Sequence, residues 1–252
     1  MWMKTVSGRK IMGIMSILLA VVMMFGLIAG KYVSSASTQR KIPIYSVQTD
    51  EKKIAITFDA AWTNQDTEQL IQILKKHNAK ATFFIVGDWA EKFPESVKAF
   101  HDAGHTIANH SDTHKAFSKC SREQIQEEIV NCNKKLETIT GKKVTLLRAP
   151  SGDYTDQSLE VAKGLEMETI QWNVDSLDYT GISVDEIVQR VMSRIENGSI
   201  VLFHNGVENT AEALDIILTK LSSEGYSFVS VEDLIYKEEY YLDHTGKQHK
   251  NI

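Results

Sequence analysis

The chain has 252 residues, of which 42% are hydrophobic and 24% are charged, and its formal net charge is −5. This composition is ordinary for a chain that buries a core, so it excludes global disorder, and the acidic balance excludes a basic nucleic-acid-binding surface. Two cysteines and three prolines are too few for a disulfide-stapled miniprotein, a cysteine-rich zinc module or a proline-rich linker.

The first thirty residues predict a membrane anchor. Residues 1–10 contain three basic residues and no acid, and residues 11–30 contain no charge. A helix of that second length spans about 30 Å, the thickness of the hydrocarbon core of a bilayer. We therefore expect a single-pass transmembrane signal anchor, with the basic segment in the cytoplasm and the rest of the chain outside it, at the cell membrane. The alternative is a secreted chain that is cleaved near Ala36.

Three regions follow the anchor. Residues 31–50 are polar and small, and we expect them to form a tether. Residues 51–237 carry the alternating patterns of a folded domain. Residues 238–252 are polar and have no periodicity, so they are expected to form a loose polar tail.

Within the folded region, short apolar runs alternate with amphipathic segments. In chain order the expected strands are 53–58, 81–86, 106–108, 144–147, 168–172, 199–203 and 227–229. The expected helices are 66–77, 94–103, 121–140, 156–164, 184–195, 210–225 and 231–236. Strands that alternate with helices predict parallel βαβ units, and about seven of them favour a distorted (β/α) barrel over a doubly wound open sheet.

The helix expected at 121–140 separates the two cysteines. Ser121 and Gln124 match a capping box at its start. At helical rise Cys120 and Cys132 would lie about 18 Å apart, whereas a disulfide needs Cα atoms within about 7 Å. We expect two unpaired thiols, with Cys132 buried as a small hydrophobe.

Polar side chains follow five of the expected strands. In barrels and in open parallel sheets the carboxyl ends of the strands carry the chemistry. The residues at these positions are Asp59, His110, His114, Arg148, Asp175, Asp178 and His204. Solvent-facing loops would instead scatter Lys, Glu and Ser, so these residues are candidates for a single site.

The two histidines that follow the third expected strand have the spacing of metal ligands. His110 and His114 are four residues apart, so on one helical turn both rings would face the same side and could share a metal. Each of the other candidates has an ordinary explanation when taken alone. Asp59 could cap the next helix, and Asp175 and Asp178 could be turn residues.

The ordered set resembles the five motifs of the polysaccharide deacetylases, the NodB-homology domain of carbohydrate esterase family four. The matching segments are Thr57–Trp62, His110–His114, Arg148–Gly152, Asp175–Tyr179 and Leu202–His204. The resemblance spans about residues 50–237 and is nearest to the membrane-anchored, spore-associated branch. It implies metal-dependent hydrolysis of N-acetyl groups on an extracytoplasmic cell-wall glycan, with peptidoglycan amino sugars as substrate and a place in sporulation. The glycan and the membrane are the expected partners.

The resemblance also implies a role for each site residue. Asp59 would be the general base, and Arg148 would keep it ionised. His204 would be the general acid that protonates the leaving amine, and Asp175 would orient its ring. The expected substrate-binding residues are Ser151, whose backbone N–H would hold the oxyanion, Trp172, Leu202 and Asp178.

The cofactor implied by the resemblance is a divalent metal, zinc or else cobalt, manganese or nickel, held by His110 and His114. The usual first motif has two consecutive Asp residues, and the second completes a His-His-Asp triad. In this chain that position is Ala60, whose methyl group cannot bind a metal. The alternative function is that of a glycan-binding relative with impaired catalysis. The candidates for the third ligand are Asp59, Asn64, Asp66 and Asp112.

Overall fold

The computed structural model describes residues 41–251. The expected basic segment, the membrane anchor and most of the expected tether therefore lie outside the described residues. Within residues 41–251, none of the helices combines the length and the apolar character that crossing a bilayer requires.

Strands and helices alternate along most of the described chain. The strands are β1 (Ser46–Val47), β2 (Lys53–Ala60), β3 (Ala81–Ile85), β4 (Thr106–Asn109), β5 (Leu146–Leu147), β6 (Glu168–Thr169), β7 (Val174–Asp175), β8 (Ile200–His204), β9 (Ser227–Phe228), β10 (Tyr240–Leu242) and β11 (Lys247–Lys250). The α-helices are α1 (Thr67–Lys76), α2 (Gly87–Lys92), α3 (Pro94–Asp102), α4 (Arg122–Thr140), α5 (Asp156–Gly164), α6 (Val184–Met192), α7 (Thr210–Ser223) and α8 (Val231–Leu234).

Seven parallel strands form a curled half-barrel. Their order in space is β6-β5-β4-β3-β2-β8-β7, and β9 adds to the start of β2. Strands that are adjacent in the sheet are also consecutive in the chain, except for β2 and β8, which are adjacent in the sheet but far apart in the chain. A doubly wound sheet would instead reverse its strand order at a switch point. The arrangement is therefore α/β and consistent with the expected distorted (β/α) barrel.

The strand β2 lies at the centre of the core because both of its faces are apolar. Ile56 and Phe58 pack with the helices, while Ala55 belongs to a second buried cluster on the other face. Burial on both faces is typical of a parallel strand covered by helices. The register pairs Asp59 of β2 with His204 of β8. Two of the candidate catalytic residues are therefore neighbours at the carboxyl edge of the sheet.

The helix α4 forms as its sequence predicts. Ser121 and Gln124 make the expected capping box. Both cysteines are free, and Cys132 is fully buried. Burial raises the pKa of the Cys132 thiol well above its ordinary value, so this thiol stays protonated.

The expectations for the two ends of the described chain are wrong. Residues 44–47 are not a tether, since Ile44 and Val47 are 1% exposed and their N–H groups donate to the carbonyls of Thr169 and Gly198. Residues 240–250 are not a loose tail, because β10 and β11 form an antiparallel hairpin that pairs with β1. This pairing joins residues about 200 positions apart, and local periodicity carries no sign of it.

Replacing Gln248 tests whether the hairpin is part of the fold. Its amide is fully buried, accepts the N–H of Tyr236 at 2.7 Å and donates to the carbonyl of Tyr236 at 2.7 Å. We expect Gln248→Ala to lower the free energy of unfolding by about 2 kcal/mol, because both partners lose their hydrogen bonds. Urea unfolding measures the change, with the exposed Lys250→Ala as the control. Equal stability of the two variants would contradict this account.

Candidate active site

The carboxyl edge of the sheet surrounds a cavity of about 190 Å³. Each of the five strand ends that the sequence analysis identified contributes at least one residue to the lining of this cavity. The residues that line it are Asp59, Ala61, Trp62, His110, His114, Ser151, Trp172, Asp175, Tyr179, Leu202 and His204. Five of the seven candidates therefore share one small opening at the surface, and Arg148 and Asp178 are buried behind it.

Asp59 is held by a fully buried arginine. Arg148 Nη1 donates to Asp59 Oδ1 at 2.7 Å, and its Nη2 donates to the carbonyl of Gln171 at 3.0 Å. Burial alone would raise the pKa of Asp59, but its electrostatic interactions with the neighbouring His110 and with the permanently charged Arg148 lower that pKa below its ordinary value. The carboxylate is therefore ionised at neutral pH, as a general base must be.

His110 presents an unprotonated nitrogen to that carboxylate. Its Nδ1 lies 2.9 Å from the carbonyl of Arg148, which can only accept, so Nδ1 carries the proton. The other nitrogen, Nε2, lies 3.3 Å from Asp59 Oδ2. Burial lowers the pKa of His110 to about 4, so the ring is neutral at pH 7. Two hydrogen-bond acceptors therefore lie so close together that one donor beside them can contact both.

His114 reaches His110 through a loop rather than a helical turn, which corrects the sequence prediction. The segment 110–114 is not helical, and Ser111 and His114 have left-handed backbones with φ of 65° and 59°. The two imidazole rings still meet edge to face, with centroids 4.9 Å apart. The i, i+4 spacing therefore identified the pair, although helical geometry does not bring the rings together.

Three of the four candidates for a third metal ligand lie outside the cavity. Asn64 donates to Ser96 Oγ at 3.0 Å, and Asp66 accepts the N–H of Gly206 at 2.6 Å. Asp112 pairs with Lys135 Nζ at 2.9 Å. The structure therefore contradicts these three assignments and leaves only Asp59 at the site.

The zinc ligand set implied by the sequence is incomplete in this chain. Ala60 is fully buried in the apolar core and does not line the cavity. Among residues 41–251, no group of three or more His, Cys, Asp or Glu side chains has the arrangement of a metal site. Two imidazoles remain, beside a carboxylate that already pairs with Arg148. Three protein ligands are usual for catalytic zinc, so these residues do not fit that ion.

The structure exchanges the expected roles of Asp175 and Asp178. Asp178 Oδ1 lies 2.8 Å from His204 Nδ1, and its Oδ2 accepts the backbone N–H of His204 at 2.8 Å. Asp178 is fully buried, so it orients His204 and does not bind substrate. Asp175 lines the cavity instead and accepts the N–H of Leu177. Leu177 adopts φ of 55°, and this turn returns the chain so that Asp178 lies against His204.

His204 lines the same cavity as Asp59, from the adjacent strand β8. Burial alone would lower its pKa, but the hydrogen bond and charge of Asp178 raise it above the ordinary value. The ring is therefore protonated over a wider pH range than a free histidine, as a general acid requires. Since Nδ1 faces Asp178, Nε2 is the nitrogen that is left for the cavity.

Several neighbours of the site were missed by the sequence analysis. The rings of Trp62 and Tyr179 contact His204, with centroids 5.1 and 4.9 Å from its own, and they are 50% and 48% exposed. Both lie inside recognised motifs, so their position was a usable signal. Thr210 donates its hydroxyl to Asp178 Oδ2 at 2.7 Å. It begins a helix 32 residues further along the chain, and no local pattern marks it.

The other expected substrate-binding residues line the cavity. Ser151 adopts a left-handed backbone with φ of 53°, in the turn that follows β5. Trp172 and Leu202 form apolar walls. Gln171 donates to the carbonyl of Gly152 at 3.0 Å, which ties the Ser151 turn to the strand segment that carries Trp172.

Comparisons with known proteins identify the family of this chain. The model of the polysaccharide deacetylase family matches residues 46–170. The peptidoglycan-N-acetylmuramic acid deacetylase PdaA of Bacillus subtilis is 33% identical over 215 residues, which cover 84% of this chain and 81% of that protein. The chain belongs to the polysaccharide deacetylase family. The family resemblance stated from the motifs is confirmed.

Two further relatives of this polysaccharide deacetylase are an uncharacterized protein and a pseudoenzyme. The uncharacterized protein YlxY of Bacillus subtilis is 33% identical over 193 residues, and the match covers 77% of this chain but 60% of YlxY. The crystal structure of a CE4 family pseudoenzyme from Bacillus anthracis is 33% identical, with a TM-score of 0.75, and the match covers 84% of this chain and 73% of that one. Named deacetylases and a pseudoenzyme therefore share this fold.

Replacing Asp178 tests its role in charging His204. We expect Asp178→Asn to lower the pKa of His204, since burial is then opposed only by the weaker interactions with Asp59 and Asp175. Titration of the His204 ring by NMR measures the shift, and Asp175→Asn is the control, with a smaller decrease. The interaction between Asp178 and His204 stabilises the fold at pH values below 6.5, the ordinary pKa of histidine. This contribution disappears as the pH rises through the raised pKa of His204. A larger decrease in the pKa of His204 in Asp175→Asn than in Asp178→Asn would show that Asp175, and not Asp178, keeps His204 charged.

Proposed function

We propose that this chain hydrolyses N-acetyl groups on a cell-wall glycan outside the cytoplasm, with peptidoglycan amino sugars as its substrate. The observation that carries the proposal is a pair of opposed groups in one small cavity. An ionised Asp59 lies on one strand, and a His204 with a raised pKa lies beside it on the next. A base and an acid in these protonation states are what amide hydrolysis needs.

The first step is attack by water on the acetyl carbon. A water molecule that donates one proton to Asp59 Oδ2 and the other to His110 Nε2 would turn its lone pairs towards the carbonyl. Asp59 then takes a proton as the C–O bond forms, and Arg148 keeps the carboxylate in place. The backbone N–H of Ser151 is the donor that we assign to the developing oxyanion.

The second step is departure of the amine. His204 Nε2 donates its proton to the amide nitrogen, the C–N bond breaks, and acetate and a free amino sugar are released. Asp178 stabilises the imidazolium before the transfer and holds the ring at the correct angle. One water is consumed, and its oxygen ends in the acetate.

The lining of the cavity supports an N-acetyl group as part of its occupant. Trp172 and Leu202 form apolar walls that suit the acetyl methyl, and a space of about 190 Å³ has room for the acetyl group together with part of the sugar that carries it. The neighbouring sugar rings of a polymer would then lie outside the cavity. The half-exposed rings of Trp62 and Tyr179 offer flat apolar faces against which sugars can stack.

Metal dependence, membrane anchoring and sporulation belong to this proposal as expectations. The family resemblance favours a divalent ion near His110 and His114, but two imidazoles bind zinc more weakly than a three-ligand set. The steps above therefore use only the side chains of this chain. The single-pass anchor is supported by the uncharged segment 11–30 and the basic residues before it.

The alternative is a glycan-binding relative that no longer turns over its substrate. Ala60 in place of the second motif Asp favours this alternative, and so does the similarity to a CE4 family pseudoenzyme. The intact network of Asp59, Arg148, His204 and Asp178 favours catalysis. A protein that only binds sugars has no use for a base and an acid held by separate charged partners.

Removing the base tests the enzymatic function. We expect Asp59→Asn to reduce the rate of acetate release from N-acetylated peptidoglycan by about 10²- to 10⁴-fold, because an amide cannot take the proton from water. Asp153→Asn, on the surface loop after β5, is the control, and circular dichroism checks that each variant folds. Equal rates for the parent and Asp59→Asn would exclude this mechanism. Glycan binding without acetate release by the parent would support the alternative.

Restoring the missing carboxylate tests the metal expectation. Ala60→Asp restores the family's second carboxylate, and we expect its longer side chain to reach beyond the buried position of the Ala60 methyl group and to tighten zinc binding by at least about tenfold, or roughly 1.4 kcal/mol. Isothermal titration of zinc into each protein measures the affinity. Ala60→Asn is the matched control, since its neutral amide has nearly the same shape and is a poor ligand. Unchanged zinc affinity in Ala60→Asp would show that this position does not face the ion.

A further inference from the structure

The loop that carries both histidines has a costly backbone conformation. Ser111 and His114 are both left-handed, at φ of 65° and 59°, and neither is glycine. Such conformations are unfavourable for residues with a Cβ atom, and they persist only where the surroundings fix them. The conformation of this short segment therefore needs an external support.

A buried glutamate on α4 makes the most direct contact with this loop. Glu128 Oε2 accepts the backbone N–H of Thr113 at 2.8 Å, and its Oε1 accepts the hydroxyl of Thr113 at 2.7 Å. Lys115 Nζ lies 3.2 Å from the same Oε1. The side chain of Glu128 is 6% exposed, so its charge is compensated by the loop itself. Both carboxylate oxygens are thus committed to the residues on either side of His114.

Other residues of α4 support the flanks of the loop. Asn109, just before His110, donates to the carbonyl of Ile129 at 2.9 Å and to Asn133 Oδ1 at 2.7 Å. Lys135 pairs with Asp112 at 2.9 Å. These contacts fix the beginning and the middle of the loop. Within the loop, Ser111 Oγ accepts the backbone N–H of His114 at 2.9 Å, and Glu128 is the contact that α4 adds at this end.

We propose that Glu128 is a positioning residue for the active site. By holding the N–H and the hydroxyl of Thr113 at once, it sets the backbone that enters His114 and thereby aims the His114 ring at His110. The inference rests on the proposed function for its kinetic consequence, but its geometric consequence is independent of any reaction. Glu128 is separated from the cavity by the loop, so it touches no substrate.

The sharpest test removes the carboxylate. Glu128→Ala takes away both acceptors of Thr113, whereas a glutamine amide would rotate and satisfy the N–H and the hydroxyl together. We expect kcat for acetate release to fall at least tenfold, with KM for the glycan changed less than twofold, because the His114 ring packs against His110, which contacts the attacking water, while the groups that hold the sugar are unchanged. Glu127→Ala, at the exposed neighbour on the same helix, is the matched control. A kcat equal to that of Glu127→Ala would overturn the proposal.

A second readout separates this proposal from the proposed function. We expect the imidazole NMR resonances of His114 to shift in Glu128→Ala while those of His204 remain as in the parent. This result would support the positioning role even if the parent released no acetate. Unchanged His114 resonances, or equal shifts of His114 and His204, would overturn it. Should Glu128→Ala fail to fold, Thr113→Val removes only the hydroxyl contact, and the same selective shift of His114 is expected.

Discussion

The buried ion pair between Asp59 and Arg148 is the interaction on which the site depends. Arg148 is fully buried, and its guanidinium lies 4.0 Å above the ring of Phe84. A buried cation without a partner is strongly destabilising, so the pair joins β2 to the turn after β5 wherever the protein is folded. The charge that keeps Asp59 ionised is thus also a structural tie between two parts of the sheet.

The rest of the site follows from this pair and from the register of the sheet. The carbonyl of Arg148 fixes the tautomer of His110, so one residue controls both the base and the nearest imidazole. The parallel register places His204 beside Asp59 on the adjacent strand. Asp178 orients His204 and stabilises its charged form. Arg148 does the same for Asp59, with the signs of the charges reversed. Two opposed ion pairs therefore lie at a single sheet edge.

The convergence of the site was predictable, whereas its local turns were not. Parallel strands end at one edge, so residue types at the strand ends sufficed to group Asp59 with His204. The exchange of Asp175 and Asp178 depends on the positive φ of Leu177, a residue type that gives no sign of such a turn. The terminal hairpin was missed for another reason, since its partner strand lies at the far end of the described chain.

The free-energy cost of burying two charged pairs in this site favours a catalytic role for them. Buried ion pairs are often no more stabilising than apolar residues of similar volume, so stability alone gives little reason to bury Arg148 against Asp59 or Asp178 against His204. A carbohydrate surface needs aromatic faces and exposed hydrogen-bonding groups, which Trp62 could provide without either pair. Substitution of a motif carboxylate by Ala60 weakens one part of the family's chemistry. The two buried charge pairs that would hold the base and the acid, and that cost the most to bury, are still present beside the cavity.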